Sequence, residues 1–69
     1  MDTTTKIKIL LAKNGMTATQ LAEKIGMSQS NLSKKMGKGT FSIDELDSIA
    51  RVFSAKYEGF FFLEDGEKI

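Results

Sequence analysis

A three-residue phrase, glycine then an apolar residue then a hydroxyl residue, occurs twice at an eleven-residue interval, as Gly15-Met16-Thr17 and Gly26-Met27-Ser28. A glycine just past a helix end takes the left-handed conformation that closes the last turn, and a following Thr or Ser accepts from the orphan amide groups of the next helix. The phrase therefore restricts this stretch to short helices joined by very tight turns. Each methionine precedes a cap and faces the residue four beyond that cap, Leu21 or Leu32, as a hydrophobic staple, and Phe41, Ser42 and Leu46 repeat the device. Thr17-x-x-Gln20 and Ser42-x-x-Glu45 are also capping boxes. The spacing predicts helices beginning near residues 18, 29 and 43, with the third running from Ser28 to Gly37. Because the interval does not continue to residue 48, it marks two equal short helices and not a repeat architecture.

Between these marks the apolar residues follow helical spacing. Ile7, Leu10 and Leu11 form one stripe, Ala18, Leu21, Ala22 and Ile25 a second, and Ile43, Leu46, Ile49, Ala50 and Phe53 another. Four helices with short connectors account for residues 3–54, a compact helical bundle. With 69 residues the chain makes one small domain, and with no Cys and no His it folds without disulfides or a zinc staple. The same absences remove the thiolate nucleophile and the commonest general base, which argues against an enzyme. Asp44 and Asp47 fall at a helix start, where they favour the dipole and need no catalytic explanation. No catalytic residue, metal site, cofactor or small-molecule substrate is expected. The longest apolar runs, Ile9 to Ala12 and Phe60 to Leu63, are far shorter than a membrane span, so a cytoplasmic protein is expected.

Charge is divided along the chain. Residues 1–39 carry seven lysines against Asp2 and Glu23, whereas residues 40–69 carry three bases against seven acids. A basic half points to a polyanion partner, and the alternative is an ordinary solvated lysine face. The third helix separates the two readings. Its apolar stripe is only Leu32 and Met36, and the remainder is Gln29, Ser30, Asn31, Ser33, Lys34 and Lys35. At 100° per residue, Ser30 and Lys34 point away from the core, Asn31 and Ser33 flank them, and Gln29 lies in the first turn. No carboxylate occurs between Glu23 and Asp44. A face of amide, hydroxyl and ammonium groups has the donors and acceptors needed to read base edges in a major groove.

Residues 16–39, MTATQLAEKIGMSQSNLSKKMGKG, resemble the helix-turn-helix of the lambda repressor and Cro-like family, also called the XRE family of bacterial and phage regulators. The resemblance rests on the Thr17 cap, the Leu21-Ala22 pair, Ile25-Gly26 at the turn, Ser28-Gln29-Ser30 and Leu32, and SIDELDSIARVF extends it to about residues 5–54. It implies a mainly α, four-helix lambda-repressor-like domain that binds operator DNA, commonly as a two-fold dimer. Carried over by position, Gln29, Ser30 and Lys34 face bases with Asn31 and Ser33 beside them, and Thr17, Thr19, Lys35, Lys38 and Thr40 face phosphates. Two positions depart from the pattern: Ala18 stands where many members have Gln, and Lys35 where an apolar residue is common.

The tail, residues 55–69, reads as a β-hairpin within the same single domain as the bundle of residues 1–54. Asp65-Gly66 between extended runs predicts a two-residue type I′ turn, pairing Leu63 with Lys68 and Phe62 with Ile69. That leaves much of Tyr57 to Phe61 unpaired within the chain. Alternation sets Tyr57, Phe61 and Leu63 on one face and Phe60 and Phe62 on the other. Cro-like members dimerise through a C-terminal strand, so Tyr57, Phe60, Phe61 and Phe62 are expected at a homodimer interface on a pseudo-palindromic operator. The alternative folds both faces onto one chain's bundle. The expected function is sequence-specific binding of double-stranded DNA in transcriptional regulation. A second expectation is a protein-interaction module, such as the antitoxin of a toxin–antitoxin pair whose Phe-rich tail covers a toxin.

Overall fold

Every helix of this chain starts on a side chain that accepts from its own first turn. In the computed structural model, which describes residues 2–69, Asp2 Oδ1 accepts from Thr5 N at 2.7 Å to open α1 (Thr3–Lys13). Thr17 and Ser42 form complete capping boxes with Gln20 and Glu45 for α2 (Ala18–Ile25) and α4 (Ile43–Val52), and Ser28 caps α3 (Gln29–Lys38). The helices thus begin at the expected residues 18, 29 and 43. Met16, Met27 and Phe41 pack against the core beside these caps, as hydrophobic staples do.

Gly26 makes the sharpest connection. Its φ of +71° lets Met27 N donate to Ala22 O at 2.9 Å and close α2, and Ser28 then caps α3 immediately. Leu21 and Leu32, on either side of this turn, are both fully buried. The end of α3 lies further on than the sequence indicated: Gly37 is an ordinary helical residue, and the left-handed residue is Gly39, whose N–H donates to Lys35 O at 2.8 Å. Ile43 also departs from expectation, being 66% exposed. It occupies the first helical position, before the buried stripe begins at Leu46, and Phe41 packs on the core in its place.

The helices surround Ile7, Leu10, Leu21, Leu32 and Ile49, and the tail completes this core. Here the register corrects the sequence reading. β1 (Lys56–Tyr57) pairs antiparallel with β2 (Phe61–Phe62), matching Lys56 with Phe62 and Tyr57 with Phe61, so this stretch does have partners in its own chain. On the other side of β2, Phe62 bridges Lys68, Phe61 and Ile69 exchange both backbone hydrogen bonds, and Leu63 N donates to Glu67 O. The connection is therefore a three-residue loop, Glu64 to Gly66, and not a two-residue turn. Gly66 N donates to Leu63 O and Gly66 sits at φ +90°, the arrangement of a turn followed by a left-handed residue. Phe61, expected at the dimer interface, is 0% exposed and belongs to the chain's own core, because two extended segments flank it and fix its side chain on the inward face. Its ring meets Tyr57 edge-on, centroids 4.9 Å apart. Lys13 Nζ, 2.8 Å from Glu67 Oε1, ties the hairpin to α1.

Two glycines separate conformational from steric cost, since a Cβ at Gly26 or Gly37 would meet nothing within 4 Å. Gly26→Ala forces an L-residue into the left-handed region and should destabilise by about 1–2 kcal/mol. Gly37→Ala, inside α3, should stabilise by about 0.5–1 kcal/mol. Urea midpoints of the two variants check the opposite signs.

Candidate nucleic-acid interface

The tight Gly26 turn dictates how α3 is presented. Burial of Leu32, with Met36 packed beside it, turns the opposite side of α3 outward, so Gln29, Ser30, Asn31, Ser33 and Lys34 are all exposed. This is one continuous face of amide, hydroxyl and ammonium groups. It is mounted on a helix fixed at both ends, by the Ser28 cap and by Gly39.

The residues expected to meet phosphates divide into two groups. Thr17, Thr19, Lys38 and Thr40 are exposed. Thr17 Oγ1 accepts from Gln20 N at 3.1 Å, and its hydroxyl proton remains free to be donated. Thr19 follows in the first turn of α2, a helix start without acidic residues where the positive end of the dipole is uncompensated. Lys38 and Thr40 bracket the left-handed Gly39 beyond α3.

Lys35 is placed differently. Its ammonium lies 3.0 Å from Glu45 Oε2, an ion pair linking α3 to α4, and the same carboxylate accepts from Ser42 N at 2.7 Å to close the α4 capping box. Lys35 is only partly exposed, at a position facing α4. It braces two helices. The Ser42 N–H and the Lys35 ammonium both favour the ionised carboxylate and hold Glu45 below the usual glutamate range.

Two features escaped the sequence reading. Thr4 Oγ1 donates to Met36 O at 2.6 Å, clasping α1 to α3. Beside this clasp a groove of about 300 Å³ runs between α1 and α3, with Lys8, Ala18, Gln29 and Ser33 among its walls. The signal for it was the pair Thr4 and Lys8, one helical turn apart on the flank of the Ile7, Leu10 and Leu11 stripe. Of the tail residues, Phe60 and Phe62 are 46% and 40% exposed, and Tyr57 is half-buried. Lys6 and Lys68 hold their ammonium groups 4.7 Å and 4.9 Å from the centroid of the Phe60 ring. Among the described residues no group of acids could hold a metal ion, and no helix is long and apolar enough to cross a membrane.

This geometry agrees with what the chain is similar to. The model of the Cro/C1-type HTH DNA-binding domain matches residues 6–59. An uncharacterized HTH-type transcriptional regulator of Archaeoglobus fulgidus is 38% identical over 64 residues, covering 91% of this chain and 91% of the relative. No solved structure matches. The chain belongs to the Cro/C1-type helix-turn-helix DNA-binding family, and it acts by binding DNA in the regulation of transcription.

The Glu45 pair gives a pH dependence of known sign. A carboxylate whose folded-state pKa is depressed contributes stability that is present above its unfolded value and lost as pH falls through the folded one. Glu45→Gln keeps an acceptor for Ser42 N but removes the charge facing Lys35. The variant should be less stable than wild type at about pH 7, and the gap should be smaller at about pH 3, toward the acid range in which wild-type Glu45 protonates. Urea midpoints at the two pH values test this.

Proposed function

We propose that this regulator recognises a specific double-stranded DNA sequence by laying α3 in the major groove. The observation that carries this reading is the exposed, carboxylate-free face of α3 on a rigid mount. Gln29 supplies the donor and acceptor pair that matches adenine, Lys34 the ammonium that suits guanine, and Ser30, Asn31 and Ser33 short donors and acceptors around them. Thr17 and Thr19 at the start of α2, with Lys38 and Thr40 beyond α3, meet the backbone on either side and set the register. Lys35 supports α3 from behind through Glu45.

The regulator acts as a homodimer on a pseudo-palindromic operator. Phe60 and Phe62 support this, since both lie on the hairpin face turned away from the core and keep much of their surface exposed. Tyr57, half-buried, packs on Phe61, and Phe61 stays inside each protomer. The antitoxin reading is not favoured: its Phe-rich tail would be held for a toxin, whereas the central aromatic of this tail fills the chain's own core.

Selection from a random duplex pool identifies the operator. Gln29→Ala and Lys34→Ala should each cost about 1–3 kcal/mol on the selected site and less on random duplex. Lys38→Ala should weaken all duplexes alike and lower the salt slope by about one unit per half-site bound. Equal losses on selected and random DNA from the α3 variants would refute base reading.

The dimer is tested separately. Two α3 helices reach successive major grooves only when a two-fold interface holds them roughly 34 Å apart. Phe60→Ser with Phe62→Ser should leave the bundle folded and shift the protein toward monomer in sedimentation equilibrium. Affinity for the full operator should fall while a single half-site binds as before, because the two half-sites no longer share an effective concentration. A wild type that is monomeric at micromolar concentration would dismiss the dimer.

A further inference from the structure

On the flank of the recognition face, α1 carries a cation that the reading above leaves without a task. Thr4 and Lys8 lie one turn apart on the side of α1 facing α3, and the bond from Thr4 Oγ1 to Met36 O fixes that side in place. Lys8 then stands over the groove whose opposite wall is Gln29 and Ser33. The groove is open because the first residue of α2 is Ala18, whose methyl group leaves the space beside Gln29 unfilled. No carboxylate lines it. Among the described residues Lys8 makes no ion pair, whereas Lys13, Lys35 and Lys56 each have one. Asp2, at the start of the same helix, has its carboxylate on Thr5 N, with Lys8 only a weaker charge acting on it without an ion pair.

We infer that Lys8 binds a backbone phosphate of the DNA, the one bordering the base pair that Gln29 reads. This deepens the operator reading above and rests on it. The chemistry of the groove selects the ligand: an ammonium, an amide and hydroxyls are among its lining groups, and the apolar Ala18 and Met36 beside them suit the apolar side of a deoxyribose. An ammonium is a point charge on a flexible stem, fitted to a phosphate oxygen and not to a bidentate base edge. A phosphate held by Lys8 at this groove fixes the distance from backbone to base at Gln29. Lys8 therefore sets the register of the recognition helix from a helix outside the helix-turn-helix.

The test uses the full chain and its selected operator, with single neutral methylphosphonates placed along each strand. Wild-type binding should weaken when the phosphate beside the Gln29-dependent base is neutralised. Lys8→Ala should be indifferent at that position, and its plot of log affinity against log salt should be shallower by about 0.9 for each half-site bound. Lys8→Arg should restore both. Lys24→Ala, which removes a lysine on the α2 and α4 side, should behave as wild type. A Lys8→Ala protein with the wild-type slope and methylphosphonate pattern overturns this inference alone. A wild type that selects no duplex overturns the operator reading and this inference together.

Discussion

The geometry of the interface depends on a single backbone conformation at Gly26. Because φ there is +71°, Met27 N reaches back to Ala22 O and the chain reverses within Gly26, Met27 and Ser28. Only so short a turn allows Leu21 and Leu32 to reach the same core from two helices. Once both are buried, the outward direction of α3 is no longer adjustable, and five polar side chains are aimed together by packing and not by contacts among themselves. Preorganisation of this kind lowers the entropy lost when a surface is bound. The polar face of α3 is thus a consequence of two leucines and a glycine.

A chain of 69 residues has little apolar surface to bury, and the tail answers that shortage. Phe61 is among the largest fully buried side chains, and it comes from outside the helical bundle. Flanked by Tyr57 on one strand and Ile69 on the other, it closes the core with a three-segment sheet that would be marginal by itself. The same alternation that sends Phe61 inward leaves Phe60 and Phe62 outward, so core completion and the exposure of two aromatic side chains are one event.

The helix starts were legible because each is written by local chemistry: a hydroxyl cap, a Gln or Glu three residues on, and an apolar staple. The five α3 side chains were legible for a related reason, since a stripe of only Leu32 and Met36 leaves no choice of face. What failed was information that is not local. The Asp65-Gly66 pair fits a two-residue turn as well as the last two positions of a three-residue loop, and the choice was made by Phe61 needing partners on both edges. The end of α3 was misplaced because Gly37 and Gly39 carry the same signal, and only the backbone distinguishes them. At the end of α4 the left-handed residue is Ser54, with φ +52°, where no glycine announces it. The partnership of Lys35 with Glu45 joins two helices across a turn, and periodicity within either helix is silent about it.

Pairing, rather than composition, settles where the positive charge acts. A formal net charge of +1 says little about nucleic acid. Within the fold, Lys13, Lys35 and Lys56 are matched by carboxylates, and Lys6 and Lys68 lie over the Phe60 ring. Of the remaining lysines, Lys8, Lys34 and Lys38 belong to the groove wall, the body and the end of the recognition region, and the acids gather in α4 and the hairpin. Salt screens exposed charges beyond about 8–10 Å, so a phosphate near α3 experiences the unpaired cations beside it more than Glu45, which Lys35 neutralises, or acids farther away. On the proposed interface, an almost neutral protein can therefore attract DNA with α3 foremost, because the local cations and not the total charge set the encounter.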